Sequence, residues 1–182
     1  MREGCFVEHE FNGKLVTIDD TDISFEAMYR KEYIPKEYME DIQKANLLII
    51  PNENFRGKGN LLFPETTPEF LELLREGNNE IVADIAIGDE NFQRIELHSA
   101  VIEVATFIVE ILVLPVAINM ISSFLYDQVK KHRRNADDTT ANVQIIVEET
   151  KRKKTKKIVY KGPVSELKDT LNETYKDLFS KD

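Results

Sequence analysis

Hydrophobic positions along the chain first recur at every second residue. Phe6-Val-Glu-His-Glu-Phe11 and Lys14-Leu-Val-Thr-Ile18 alternate in this way, with Asn12-Gly13 between them. Asn-Gly readily takes the positive φ angles of a tight type I′ turn, so the segment reads as a β-hairpin. The period then lengthens. Tyr38, Met39 and Ile42 share one face of a helix over 34–44, with Pro35 in its first turn. Asn46-Leu-Leu-Ile-Ile50 is an apolar run, the pattern of a strand covered on both sides, and Pro51 ends it. After the polar loop 52–60, Thr66-Thr67-Pro68-Glu69 has the spacing of a capping box. Phe70, Leu71, Leu73 and Leu74 form the stripe of that helix, and Gly77 closes it. A further apolar strand follows at 81–87. Strand, helix and strand at this spacing predict a right-handed β-α-β crossover.

From Ser99 the pattern changes. Residues 100–126 contain only Glu103 and Glu110 as charges, and Lys130-Lys131-His132-Arg133-Arg134 follows. Asn142-Val-Gln-Ile-Ile-Val-Glu148 alternates as a strand, Ile158-Val159-Tyr160 returns as its partner, and the lysine-rich stretch 151–157 connects them. Ser165 to Phe179 is amphipathic, with Leu167, Leu171, Leu178 and Phe179 toward the core. The fold class is therefore α+β. A small α/β unit (hairpin plus β-α-β) over 1–97 precedes a long apolar helix, a β-hairpin and a C-terminal amphipathic helix over 98–182. The two parts are expected to share one core.

The apolar stretch Val104 to Tyr126 is the most informative element. It has the length of a membrane span, and the basic residues 130–134 have the position of a cytoplasmic anchor. Against this, a glutamate near the centre of a span costs about 2.5–3.5 kcal/mol. The alternative is a helix buried in protein, kinked near Pro115. Its second half is apolar nearly all round and must be covered on every side, which self-association would achieve. The residues placed at that interface are Val104, Ile108, Ile111, Leu112, Pro115, Ile118, Ile121 and Leu125.

Composition narrows the function classes. Cys5 is the only cysteine, so no intrachain disulfide and no single-chain thiolate zinc site can form. No apolar run of signal-peptide length opens the sequence, and with the lone cysteine this favours the cytoplasm, the cytoplasmic membrane being the alternative. The net charge is −9, yet it is unevenly placed. Residues 1–100 carry 21 acidic against 10 basic side chains, whereas 127–161 carry 11 basic against 5 acidic. An acidic body with a basic segment points to a polar partner at that segment. Lys151, Arg152, Lys153, Lys154, Lys156 and Lys157 are the candidate contacts to a nucleic acid, an anionic membrane or an acidic protein.

Residues 99–175 carry a resemblance. The run Ser99-Ala100-Val101-Ile102 through Ser122-Ser123-Phe124-Leu125, the basic 130–134 cluster and the hairpin around Val143 to Tyr160 look like the effector-associated constant component domains of bacterial conflict systems. What that resemblance implies is a non-catalytic subunit coupling a sensor to an effector. It supplies no functional residues.

Catalytic motifs do not emerge. Loop 52–60 lies where α/β proteins often bind nucleotides, and Arg56 and Lys58 are candidate phosphate contacts, but Gly57-Lys58-Gly59 is not a P-loop. His9, His98 and His132 are far apart and lack the spacing of a helical metal site. No cofactor, metal or catalytic residue is assigned. The expected function is a non-enzymatic interaction or accessory subunit, self-associating through 104–126. The alternatives are a single-span membrane module, or a nucleotide sensor using loop 52–60.

Overall fold

Gly13 takes a left-handed φ of 76°, which folds Val7–Phe11 (β1) back antiparallel on Lys14–Asp20 (β2). The structure is a computed structural model that describes residues 7–11, 13–53, 59–96, 100–149 and 153–179. Cys5, Asn12 and His98 lie outside them.

From this hairpin one mixed sheet is built outward. β2 pairs antiparallel with Lys154–Pro163 (β10), and β10 pairs antiparallel with Thr140–Glu149 (β9) along its full length. The second predicted hairpin thus exists, with longer arms than the alternation of 142–148 and 158–160 reveals. Phe107–Glu110 (β8) lies parallel to β9, Leu47–Ile49 (β3) antiparallel to β8, and Ala83–Ile85 (β5) parallel to β3. The order is β1-β2-β10-β9-β8-β3-β5, so strands from the two halves of the sequence share one sheet. A separate parallel pair joins Phe63–Pro64 (β4) to Arg94–Ile95 (β6).

The expected β-α-β unit is present as β3, Thr67–Glu76 (α3) and the parallel β5. Its capping box is not. Thr66 has φ −82° and ψ 0°, already helical, so its hydroxyl does not cap the helix and instead donates to the Glu103 carbonyl at 3.4 Å. Glu69 turns the other way, accepting from Gln128 at 2.9 Å and Lys131 at 2.8 Å on the next helix, Leu114–Lys131 (α4).

The continuous helix expected over 104–126 is the main correction. Its first part is strand: Ile102–Glu103 (β7) and then β8, both parallel to β9. Four steps from Glu103 to Phe107 face three from Asn142 to Ile145, so residues 104–106 form a bulge. Phe107, Ile108 and Val109 are fully buried on a central strand, where aromatic and β-branched side chains fit a pleated surface. Pro115 sits in the first turn of α4 and starts the helix instead of kinking it.

Two cores flank the sheet. On one face α3, α4 and Val164–Phe179 (α5) cover Leu47, Ile49, Phe107, Val109, Val143 and Ile145. Phe70 lies between Phe124 of α4 (5.1 Å) and Phe107 of β8 (6.0 Å), joining helices to sheet. On the other face the short helices Phe25–Tyr29 (α1) and Met39–Lys44 (α2) cover Leu48, Ile50, Ile108 and Ile146. These two helices are too short to cover the whole sheet, and Asn142, Gln144 and Val159 beyond them are only half-buried.

Candidate functional site

A cleft opens where α1 stops short. Its floor is the α1 face of the sheet at Thr106, Gln144, Ile146 and Lys157, and it encloses about 620 Å³. One wall is α1 with the turn before it, from Asp22 to Lys31. The other is residues 50–53, which leave the carboxyl end of β3. A smaller chamber of about 210 Å³ continues past β4 and shares Ile50, Asn52, Thr106 and Gln144 with the first. Carboxyl ends of strands in β-α-β units are recurrent ligand sites, because the chain diverges there into separate loops and leaves a crevice. The main chamber also has the size of a small-molecule pocket.

Local forces fix the walls. Ser24 caps α1 by accepting the Ala27 N–H at 3.0 Å, and the Glu148 carboxylate of β9 accepts the Phe25 N–H at 2.9 Å. Two acceptors on the first-turn N–H groups hold this five-residue helix against the hairpin. At the rim, Lys31 and Glu53 form an ion pair at 2.9 Å, and the Tyr33 hydroxyl donates to Glu53 at 2.7 Å. Burial alone would raise the Glu53 pKa, but the bonds from Lys31 and Tyr33 outweigh it and hold the carboxyl below its usual range. Burial, and then Glu53, push the Tyr33 phenol far above its ordinary value, so it stays a donor.

The floor differs from the rim. Gln144 is on the central strand β9, yet its amide has no hydrogen-bond partner among the described residues. The Thr106 hydroxyl, the Asn52 amide and the Lys157 ammonium are likewise unpaired among them. Lys157 faces Asp19 across the β10–β2 ladder without forming an ion pair. Glu103 lies beyond, in the smaller chamber, accepting from Asn142 at 2.9 Å; burial raises its pKa despite that bond.

The residues singled out from sequence are dispersed. Val104, Ile108, Ile118, Ile121 and Leu125 are buried inside the chain, on the bulge, on β8 and on α4. Ile111 and Pro115 are partly buried, and Leu112 alone is open, at 79% exposure. They form no common face, because a strand and a helix divide them. The basic segment is also divided. Strand alternation places Lys154 and Lys156 on the face opposite Lys157. Lys156 pairs with Asp20 at 2.9 Å, Lys153 approaches Glu26 at 3.9 Å, and Lys157 belongs to the cleft. Arg56, Lys58, Lys151 and Arg152 lie outside the described residues. Asn52 and Glu53, at the start of the loop suspected from sequence, do line the cleft.

Among the described residues no group of three His, Cys, Asp or Glu side chains is placed to hold a metal. Among the described residues one helical stretch, Ile111–Lys131, is long and apolar enough to cross a membrane, and half of its apolar window is already buried inside the fold. Compared with protein-family models, curated proteins and solved structures, the chain shows no match.

Proposed function

We propose that this protein is a non-enzymatic accessory subunit that binds a small polar ligand in the cleft at the carboxyl end of β3. The observation that carries this reading is the polar floor: Gln144 and Thr106 sit near the middle of a sheet with unpaired side chains, inside a cavity of small-molecule size. Polar groups that line a half-open cleft without bonding one another are available to a guest.

Occupancy of the cleft has a route to the surface. The α1 wall is tied to the β9–β10 hairpin through Glu148, and the hairpin ends in the exposed Lys153 and Lys154. The reading is that this tip meets an acidic protein partner and that the ligand biases the encounter. The resemblance carried by 99–175 supplies the setting, a cytoplasmic bacterial conflict system. Self-association through 104–126 is not part of the reading, because the chain itself already covers most of those side chains.

The test is a thermal-shift screen of small polar metabolites on the full chain, repeated with Gln144→Leu. A stabilising compound whose effect disappears in the variant supports the cleft. A screen without a stabilising compound, or one whose hits ignore the variant, rejects it.

A further inference from the structure

The charges lining the main chamber define what it can hold. Four side chains there ionise: Asp22, Lys31, Glu53 and Lys157. Lys31 and Glu53 neutralise each other at 2.9 Å, and the Tyr33 hydroxyl occupies a Glu53 oxygen as well. That leaves one carboxylate, Asp22, and one ammonium, Lys157, neither paired among the described residues. They approach from different elements. Asp22 belongs to the turn between β2 and α1, whereas Lys157 rises from β10 on the floor. Between the walls lie the neutral donors and acceptors of Gln144, Thr106 and Asn52.

A cleft with balanced formal charge does not favour a polyanion. A nucleoside triphosphate would bring several negative charges to one free cation and one free carboxylate, in a chain whose net charge is −9. A neutral guest would make no use of either Asp22 or Lys157, which would stay solvated. A guest with one positive and one negative group satisfies both at once.

We propose that the cleft binds a small zwitterion, a free α-amino acid or a short peptide, with its carboxylate on Lys157 and its ammonium on Asp22. This rests on the cleft being the ligand site. Gln144 and Thr106 then bond the polar groups between the two charges, and the size of the chamber leaves room for a side chain.

The experiment is calorimetric titration of the full chain with the twenty amino acids and a set of dipeptides. Each binder is compared with its N-acetyl and its carboxamide form, and with nucleoside mono- and triphosphates. Preference for single amino acids over dipeptides, or the reverse, identifies the source. Removing either charge from the ligand is expected to weaken binding at least tenfold. Asp22→Asn should abolish the penalty for N-acetylation but keep that for amidation, and Lys157→Met should do the converse. Both positions lie at least partly open to solvent, and matched melting curves confirm that the variants fold. A nucleotide or neutral compound that binds, with affinity lost in Gln144→Leu, overturns the zwitterion while keeping the cleft. Binding of no compound, or binding indifferent to Gln144→Leu, overturns both.

Discussion

Leu112 and Ile118 discriminate between a helix that the chain covers itself and one covered by something else. A single helix running from 104 would put both on surfaces needing an outside partner. The structure makes them opposites: Leu112 is 79% exposed in the turn before α4, and Ile118 is 1% exposed within the core. Truncating a buried isoleucine to alanine costs about 2–5 kcal/mol, the lost transfer energy plus the cavity left behind. At about 2–4 °C per kcal/mol for a chain of this length, Ile118→Ala should lower the melting temperature by roughly 4–20 °C. Leu112→Ala removes mostly solvated surface and should stay within about 0.5 kcal/mol, or roughly 1–2 °C. Were Leu112 covered by a second copy or by lipid, its removal would cost about 1.5–3 kcal/mol of burial and would change the particle mass. Circular-dichroism melts and detergent-free light scattering at two protein concentrations read both quantities. A Leu112→Ala variant as destabilised as Ile118→Ala, or one that loses mass, would refute the self-covered helix.

Three further outcomes follow from other parts of the fold. The Tyr160 hydroxyl, fully buried, donates to the Pro163 carbonyl at 2.6 Å, so Tyr160→Phe removes that bond and should cost about 0.5–1.5 kcal/mol in urea unfolding; an unmoved midpoint contradicts the bond. Glu110 stands opposite Glu148 in the β8–β9 ladder, and burial first, then Glu148, hold its pKa above the ordinary carboxylate value. The native state therefore binds this proton more readily than the unfolded chain, and its contribution to stability falls as pH rises from the ordinary value through the raised one. Glu110→Gln should flatten that fall and stabilise the protein at neutral pH by about 0.2–1 kcal/mol; an unchanged pH profile of denaturation midpoints would count against the pairing. At the β5 edge, Arg75 donates to the Ala83 carbonyl at 3.2 Å and Asp84 accepts the Ile85 N–H at 2.8 Å, closing groups that would otherwise face a neighbouring strand. Asp84→Ala should raise light scattering with concentration, and a variant that stays as dispersed as the parent would show the edge needs no such block.

Local chemistry made much of the fold legible. Asn12-Gly13 marked the first hairpin, the apolar runs at 46–50 and 81–87 bracketed a crossover with a helix between them, and the alternation after Asn142 announced the second hairpin. The failure at 104–113 has a physical cause. Phe107, Ile108 and Val109 are buried on both faces of a central strand, which removes the alternation that distinguishes strand from buried helix. Pro115 then admitted two readings, a kink within a helix or the start of one. Only the pairing of β8 with β3 and β9 decides between them, and that pairing is long-range.

The cleft was hidden for a related reason. Along β9 the polar Asn142 and Gln144 alternate with Ala141, Val143 and Ile145, and alternation of that kind describes a strand with one face in water. That face is not an open one here, because α1 and residues 50–53 rise on either side of it and turn it into the floor of a cleft. The walls come from residues more than ninety positions away in sequence, so no local spacing marks them. Gln144 is thus an ordinary surface residue by pattern and an unpaired amide in a crevice by position. The same logic divides the lysine run between two faces. A block of like charges suggests one patch, but a strand sends successive side chains to opposite faces, and Lys157 lines the cleft on the face opposite Lys156. The pleat, and not the sequence alone, decides which of these charges share a face.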